Sequence, residues 1–431
     1  MKSHILTAVF MSLAMTAMAD SWSLERCIDY AVENNITVKM RDADRMSSRQ
    51  SVIDAKSRYL PSLSASAGQS WNLGRGLTAE NTYADRNTSN FQWGASLNLP
   101  LFSGLSTTRQ VELAKANLAT VMEQYEAAKE EITLNVIAAY LQVLYTQELN
   151  DVAKNQVELS RYELSRQEAL LEAGKIPEVD MLEAKAQLAQ DELNLSQTAN
   201  DIRLAIVDLT QLLELDDIDG FEVEPLDGDD DMIISPADAY ASALQYNHSL
   251  RAARLNIDAS DKNISLAKSG YLPTLSFNAG IGSSYYKVTG YDNEGFAHQM
   301  KNNYSTYFGF SLNIPIFDAL STRNSVRRAK VQRINAQLQY DQAEQALFKS
   351  IQQAYYRADG ADKKLKASIV AEDTANKAFE AMREKYNIGR ATPTEYEQAK
   401  AKALRTTAER IQARYELILR TRILTFYSQP H

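Results

Sequence analysis

The side chains that could carry catalytic or metal chemistry are few and widely spaced in this chain. Its 431 residues include one cysteine and four histidines, namely Cys27, His4, His248, His298 and His431. A lone cysteine excludes disulfides within the chain and thiolate metal clusters. No histidine has a second histidine three or four residues away, the spacing of two metal ligands on one helix face. The composition therefore predicts a protein that is not an enzyme and that carries no cofactor and no metal.

The densest group of charged side chains is acidic and lies in the segment 216–234. It consists of Asp216, Asp217, Asp219, Glu222, Glu224, Asp227, Asp229, Asp230 and Asp231. Carboxylates are calcium ligands, but this spacing is not that of an EF-hand loop, so a solvated acidic linker is the favoured interpretation. The whole chain has a formal charge of −9, and its basic residues are dispersed rather than gathered in a patch. We expect no nucleic-acid partner.

The N-terminal residues have the pattern of an export signal. Lys2 supplies a positive charge, residues 5–15 form an apolar run, and Ala17-Met18-Ala19 is a small-x-small cleavage site. The apolar run is shorter than the roughly 20 residues that a transmembrane helix needs, so a membrane anchor is the less favoured alternative. We predict a signal peptide over 1–19 that is removed on export.

The elements that position the remaining residues come in two copies. The hexapeptide Tyr59-Leu60-Pro61-Ser62-Leu63-Ser64 recurs from Tyr271 in nearly the same form, 212 residues later. Pro100-Leu101-Phe102 recurs as Pro315-Ile316-Phe317, and Gly174 recurs as Gly389, each 215 residues later. The sequence thus predicts two structural repeats, 20–215 and 235–431, each with a helix, two strands, a long helix, a tight turn and a helix.

Four segments alternate apolar and polar residues with the period of a strand, at about 62–73, 90–102, 274–286 and 304–317. A soluble β-sandwich also alternates, but here the polar face is small and uncharged, and each strand is long enough to cross a bilayer. Aromatic residues gather at these strands, and the predicted membrane aromatic belt is Trp71, Trp93, Tyr285 and Tyr304. The pattern favours a transmembrane β-barrel with its apolar face toward lipid.

The predicted strands are too few for one chain to close a barrel. An open strand edge in lipid would leave backbone groups without hydrogen bonds. Two chains would give eight strands and a barrel filled by side chains, whereas three chains would give twelve strands, the smallest assembly with a lumen. We therefore expect a homotrimer.

The two longest helical patterns cover 104–173 and 319–388, with apolar residues at helical spacing and no internal proline. About 70 residues at ~1.5 Å each would reach roughly 105 Å, and the charged outer positions exclude a transmembrane helix. Shorter helices are predicted at 23–57, 177–215, 235–269 and 393–428. Two short helices laid end to end match one long helix, so three chains would supply a tube of twelve helical rods.

This ordered set of motifs resembles the TolC family of outer-membrane efflux proteins over nearly the whole mature chain. The resemblance depends on the duplicated unit, on the strand entries at Tyr59 and Tyr271, on the strand exits at Pro100 and Pro315, and on the two glycine turns with the acidic segments 180–184 and 395–399 that follow them. It implies a mostly helical, internally duplicated homotrimer in the outer membrane of a Gram-negative bacterium. A twelve-stranded β-barrel among outer-membrane lipids would be continued by a twelve-helix periplasmic tunnel, with a periplasmic adaptor and an inner-membrane pump as partners.

The same resemblance implies a gate near the turns. The Tyr386 hydroxyl would bond Asp180 as a latch between helices, and three copies of Glu395 would form an acidic ring that favours cations. The sequence departs from the family pattern where Gln398 replaces a second acid of the ring, where Val179 replaces a threonine, and where Ala391 replaces a latch arginine that Arg390 could supply. The predicted gating residues are Tyr386, Asp180, Glu395, Gln398 and Arg390.

The turns themselves resemble the family's adaptor-binding tips. They are Gly174, Lys175, Ile176 and Pro177 in the first repeat, and Gly389, Arg390, Ala391, Thr392 and Pro393 in the second. A glycine that ends one helix and a proline that begins the next explain both motifs without a partner. A plain packing role for Tyr386 is likewise open at this stage.

The favoured function is a passive exit duct whose flow is driven by the inner-membrane partner. The alternative is a non-conducting, outer-membrane-anchored coiled-coil scaffold or adhesin. A hydrolase is disfavoured because His298 is the only candidate base near the predicted barrel and no serine lies in a Gly-x-Ser-x-Gly elbow. The sequence does not determine the cargo or the class of pump.

Overall fold

The computed structural model describes residues 21–77, 81–216, 220–226 and 233–428. The predicted signal peptide, 1–19, lies outside these residues, as do Asp217, Asp219, Asp227 and Asp229 to Asp231 of the acidic segment. No helix of the described ranges is long and apolar enough to cross a membrane.

The main elements of the two halves, namely two short helices, two paired strands, a long helix and a shorter helix, follow one another in the same order. The first half contains α1 (Leu24–Asn34), α2 (Ile36–Ser57), β1 (Ser62–Asn72), β2 (Arg75–Leu77), β3 (Tyr83–Asp85), β4 (Thr88–Phe102), α3 (Ser106–Glu172) and α4 (Glu178–Leu213). The second contains α5 (Pro236–Tyr246), α6 (His248–Ala267), β5 (Thr274–Val288), α7 (Phe296–Asn302), β6 (Ser305–Asn313), α8 (Ser321–Asn387) and α9 (Pro393–Ser428). The short elements β2, β3 and α7 lie in the connections between paired strands.

The structure differs from the sequence-based bounds in two respects. The helices predicted over 23–57 and 235–269 are each broken by an asparagine, Asn35 in the first repeat and Asn247 in the second. The Asn35 side chain accepts a hydrogen bond from the amide of Thr37 at 2.8 Å and donates one to the carbonyl of Leu212 at 3.0 Å, which ends one helix and begins the next. The fourth strand covers Ser305–Asn313 rather than 304–317, because Pro315 has no N–H for a ladder.

The described residues divide into two compact units, and the long helices α3 and α8 contribute to both. One unit takes the described residues within 42–124 and 248–344, and the other takes those within 21–41, 125–247 and 345–428. The first contains all six strands, and the second contains both turns that end the long helices.

A four-stranded antiparallel sheet in the order β1-β4-β5-β6 joins the two repeats. Its central ladder pairs β4 with β5 from Thr88 opposite Val288 to Phe102 opposite Leu275. One face is polar, and there Ser64 bonds Ser96 at 2.9 Å and Asn98 bonds Asn278 at 2.7 Å. The other face is apolar, with the rows Leu63, Leu97 and Ala279, and Leu99, Phe277 and Phe310, of which the edge-strand residues Leu63 and Phe310 are exposed in the single chain.

The helical unit has its largest buried side chain at Tyr140 of α3. Its hydroxyl lies 2.6 Å from the carbonyl oxygen of Glu224 and 2.9 Å from that of Trp22. These two segments form a parallel bridge, because the amide of Trp22 donates to Glu222 and the amide of Glu224 donates to Trp22. The ring of Tyr140 thus ties the residues before α1 and those after α4 to one core.

We predict that Tyr140→Phe lowers the free energy of unfolding by about 1–2 kcal/mol, because the carbonyl of Glu224 loses the hydroxyl as a donor and that of Trp22 keeps only the amide of Glu224. Denaturant unfolding followed by circular dichroism measures this loss. Tyr145→Phe is the matched control, since Tyr145 is half-buried on the same helix and makes an aromatic contact with Tyr415 rather than a hydrogen bond. An equal loss in both variants would contradict the role of the hydroxyl.

Candidate functional site

Both long helices of the chain end in the same glycine turn. Gly174 and Gly389 have φ values of 67° and 72°, a left-handed conformation that costs little only for glycine. The amide of Gly174 donates to Leu171 and that of Lys175 to Leu170, both at 2.9 Å. In the second repeat Gly389 donates to Tyr386 and Arg390 to Lys385, so both ends are Schellman caps. Helix capping therefore accounts for the two glycines, and Lys175, Pro177, Arg390 and Thr392 lie exposed beside them while Ile176, Ala391 and Pro393 are half-buried.

The helices that follow the turns begin in different ways. Helix α4 starts after Pro177, whose side chain has no polar group to bond the first amides of the helix. Helix α9 starts after Thr392, whose hydroxyl accepts from the amide of Glu395 at 3.3 Å. The Glu395 carboxylate in turn accepts from the amide and the hydroxyl of Thr392 at 2.8 and 2.9 Å, which completes a capping box.

Glu395, the predicted constriction acid, is thus also a structural residue. Hydrogen bonds from Thr392 hold the pKa of its carboxyl below the usual value. A lowered pKa means that the stability contributed by this group is present above its ordinary pKa and is lost as the pH falls through the lowered value. The charge therefore persists at neutral pH, and Gln398 lies exposed one turn further along the helix.

Tyr386 occupies the centre of a small network rather than a simple latch. Its hydroxyl accepts a hydrogen bond from Gln167 Nε2 at 2.7 Å, and its ring stacks on that of Tyr396 at a centroid distance of 4.7 Å. The guanidinium of Arg166 lies 5.2 Å from the Tyr386 ring centroid. Burial raises the pKa of Tyr386, so its hydroxyl stays protonated, and the carboxylate of Asp180 acts in the same direction.

The predicted Tyr386–Asp180 hydrogen bond is absent from the single chain, where Gln167 takes the place of Asp180 as the partner. Asp180 lies in the first turn of α4 and approaches Tyr386 closely enough to influence its pKa without bonding it. The sequence contained no signal that Gln167 rather than Asp180 would bond Tyr386, because Gln167 and Tyr386 are 219 residues apart and belong to different repeats.

A pocket of about 440 Å³ lies beside Tyr386 between the first turns of α4 and α9. Four carboxylates face it, from Glu163, Asp180, Glu183 and Glu397. Burial raises the pKa of Glu397, although Lys400 opposes the shift. Among the described residues, no group of three or more His, Cys, Asp or Glu side chains has the arrangement of a metal site.

A buried ion-pair network lies just beyond the pocket. Lys400 is 3% exposed, and its ammonium donates to Ser160 at 3.0 Å and lies 3.8 Å from the carboxylate of Asp191. Asp191 also accepts hydrogen bonds from Ser160 at 2.5 Å and from Gln156 at 3.0 Å, so α3, α4 and α9 are joined by one network. The network was not predicted from the sequence, although a lysine in the apolar row with Tyr396 and Ala403 is a detectable anomaly.

The predicted aromatic belt residues lie at one end of the sheet. Trp71, Trp93 and Tyr285 occupy apolar-face positions of β1, β4 and β5, opposite Ser89, Ala67 and Phe91 respectively. Tyr304 lies immediately before β6 and is exposed. This distribution suits side chains that meet the boundary between lipid and water.

We predict that Glu395→Ala accelerates hydrogen–deuterium exchange of the first amides of α9, because the carboxylate can no longer accept from Thr392. Glu395→Gln is the matched variant: it removes the charge but keeps the acceptor, so exchange at this turn should remain close to that of the parent. Exchange mass spectrometry of peptides across 389–400 measures both. Equal acceleration in the two variants would show that the charge, rather than the capping box, protects the turn.

Comparisons with known proteins agree with the resemblance. A family model described as "Outer membrane efflux protein" matches residues 27–214 and again 239–426. The outer membrane efflux protein BepC of Brucella suis is 22% identical over 97% of this chain and 88% of its own length. The outer membrane protein TolC of Vibrio cholerae is 23% identical over 96% of this chain and 93% of its own. The fold matches that of the Campylobacter jejuni CmeC outer membrane channel with a TM-score of 0.77 at 17% identity, covering 94% of this chain and 85% of that one.

Proposed function

This chain belongs to the outer membrane efflux protein family, and from that premise we propose that it is the gated exit duct of a tripartite efflux or secretion system. In this role it conducts substrates passively across the outer membrane and performs no chemistry on them. The observation that carries the proposal is the double family match, which covers both repeats and therefore both turns. Membership of a family of efflux channels also disfavours a non-conducting scaffold.

The assembled duct is a homotrimer. The sheet of one chain has β1 and β6 as its edges, and neither edge has a neighbouring strand within the described residues. Lipid supplies no hydrogen bonds, so both edges must be paired by other copies of the chain. Three copies bring together twelve strands, enough to enclose a lumen lined by the polar face with Ser64, Ser96 and Asn278.

The gate lies at the ends of the long helices. The Gln167–Tyr386 hydrogen bond joins α3 to α8 and favours one arrangement of these helices. Arg390 is exposed beside the turn and has no ion pair within the described part of the chain. Its guanidinium can therefore pair with an acid of a neighbouring copy, such as Asp180 of the partner subunit. Three copies of Glu395 would place like charges around the axis and favour cations.

The partners are a periplasmic adaptor and an inner-membrane pump. The two turns, 174–177 and 389–393, are the surfaces proposed for the adaptor, because Lys175 and Arg390 are exposed there and the helices that follow the turns line the acidic pocket. A duct without a motor of its own requires such a pump. The transported substrate follows from the pump rather than from the polar residues of this chain.

Single-channel conductance tests the gate. We predict that Tyr386→Phe and Gln167→Met each raise the ratio of open to closed channels by about two- to tenfold for each protomer that carries the change. The reason is the loss of the Gln167–Tyr386 hydrogen bond, which is worth about 0.5–1.5 kcal/mol. Asp180→Ala should have a smaller effect within one protomer, since Asp180 makes no hydrogen bond to Tyr386.

Tyr162→Phe is the matched control, because Tyr162 is an exposed tyrosine of α3 near Gln167. Recordings in a planar bilayer would contradict the gate if Tyr386→Phe and Gln167→Met behaved as Tyr162→Phe does.

A further inference from the structure

The end of β5 nearest α7 extends beyond its neighbour β6. Strand β4 accompanies β5 as far as Val288, whereas the ladder with β6 ends where Gly282 faces Ser305. The last residues of β5, 283–288, therefore have a strand on only one side. Their backbone groups on the other side need different partners.

Helix α7 and the residue after it supply those partners. Asn303 donates to the carbonyl of Ser284 at 2.7 Å, and Gln299 both accepts from the amide and donates to the carbonyl of Tyr286 at 3.0 Å. The hydroxyl of Ser283 donates to the carbonyl of Met300 at 2.7 Å. Helix α7 thus stands where β6 would have continued, at the edge of the sheet that another chain must approach.

The helix also belongs to the apolar face of the sheet. The ring of Phe296 lies 5.2 Å from that of Tyr285 and 5.7 Å from that of Phe91. Those two residues are paired across β4 and β5 on the face that carries Trp93 and Phe277. Phe296 nevertheless remains 51% exposed in the single chain.

Barrel geometry limits which residues of the next chain meet this edge. Twelve strands tilted by about 35–45°, with ~4.8 Å between strands and ~3.3 Å per residue, require a total stagger of roughly 12 to 18 residues. The three seams are identical, so each takes one third of this stagger. An odd shift would turn apolar side chains to the polar face, which leaves a stagger of about four or six residues at each seam.

The register within the chain converts this stagger into residue pairs. Ser62, Asn98, Asn278 and Gly309 form one row across the sheet. Shifting β1 of the next copy by the allowed amounts places Ser305 opposite Ser70 or Asn72 of the partner subunit. A shift in the other direction would place Gly309 opposite a residue that precedes Ser62 of the partner subunit. Because β1 begins at Ser62, the second half of β6 would then have no strand to pair with.

When Ser305 faces Ser70 of the partner subunit, Trp71 and Leu73 of the partner subunit follow the pair and lie beside α7. When Ser305 faces Asn72 of the partner subunit, Leu73 of the partner subunit alone follows, because Trp71 of the partner subunit then faces Thr306 of β6. Trp71 and Leu73 are 68% and 81% exposed in the single chain. We propose that α7 of each protomer packs against Leu73 of the partner subunit, joined by Trp71 of the partner subunit in the Ser70 register, and seals the seam between chains at this rim of the barrel. The proposal rests on the proposed homotrimer and adds to it the seam register and a helix-to-strand contact.

Cysteine cross-linking tests this contact. Two double variants test the register: Ser305→Cys with Asn72→Cys, and Ser305→Cys with Ser70→Cys. A third, Phe296→Cys with Leu73→Cys, tests the contact of α7. A short bismaleimide joins the two cysteines of each pair. Native Cys27 is fully buried and does not compete. Ser64→Cys with Ser96→Cys is the positive control within one chain, because these side chains touch at 2.9 Å. Ser305→Cys with Ser62→Cys is the mismatched control.

We expect covalent dimers and trimers from one register pair and from the helix pair, and only background from Ser62→Cys. Cross-linking of a register pair without the helix pair would overturn the α7 contact. If the protein is a native trimer and the positive control cross-links but no seam pair does, both the register and the α7 contact are wrong. Loss of the native trimer itself would instead remove the proposed assembly, so the two failures are distinguishable.

A substitution gives an independent measure. Leu73→Ala should speed dissociation of the detergent-extracted trimer by about tenfold, because a leucine side chain buried only between chains is removed. Tyr291→Ala is the matched control, since Tyr291 is an exposed apolar residue of the loop before α7. Equal dissociation rates for the two variants would show that lipid, rather than a second chain, covers Leu73.

Discussion

Backbone hydrogen bonding in lipid is the constraint on which the rest of this structure depends. The chain supplies a sheet of four strands whose outer members, β1 and β6, have no neighbouring strand among the described residues. In water such edges would be hydrated, but in a bilayer they must be paired. The apolar face that carries the exposed side chains of Leu63 and Phe310 suits contact with lipid. The proposed assembly would therefore complete the fold of this chain, and the use of α7 to satisfy the free edge of β5 meets the same requirement.

The helical unit faces the opposite problem, since its helices need to be held in place without being locked. Its glycine turns are closed by local hydrogen bonds that cost little to keep during a movement. Contacts between helices near the turns include polar ones, through Gln167 with Tyr386 and through Lys400 with Ser160 and Asp191, beside the stacking of Tyr386 on Tyr396. A hydrogen bond weakens steeply when its geometry is disturbed, so a displacement of α8 or α9 would break these pairs. The gate proposed above would then respond to a partner that contacts the turns.

Local patterns in the sequence predicted most of the architecture. Period-two alternation placed β1 and β4 to within a few residues, and the glycine and proline spacing placed both turns, because these features depend on neighbouring residues. The breaks at Asn35 and Asn247 escaped prediction because an apolar helical pattern runs through them. The partner of Tyr386, the buried pair of Lys400 and the position of α7 depend on contacts between distant segments, which periodicity does not encode. Family resemblance supplied Asp180 as the latch partner, and the single chain has Gln167 instead.

The most direct test of the account is the number of chains in the detergent-extracted protein, measured by native mass spectrometry. The account predicts one dominant species of three copies, because neither sheet edge is satisfied in one chain and two copies enclose no lumen. A folded, monodisperse monomer that retained its β-sheet signal would contradict it, since the edges of β1 and β6 would then be stable without a second chain.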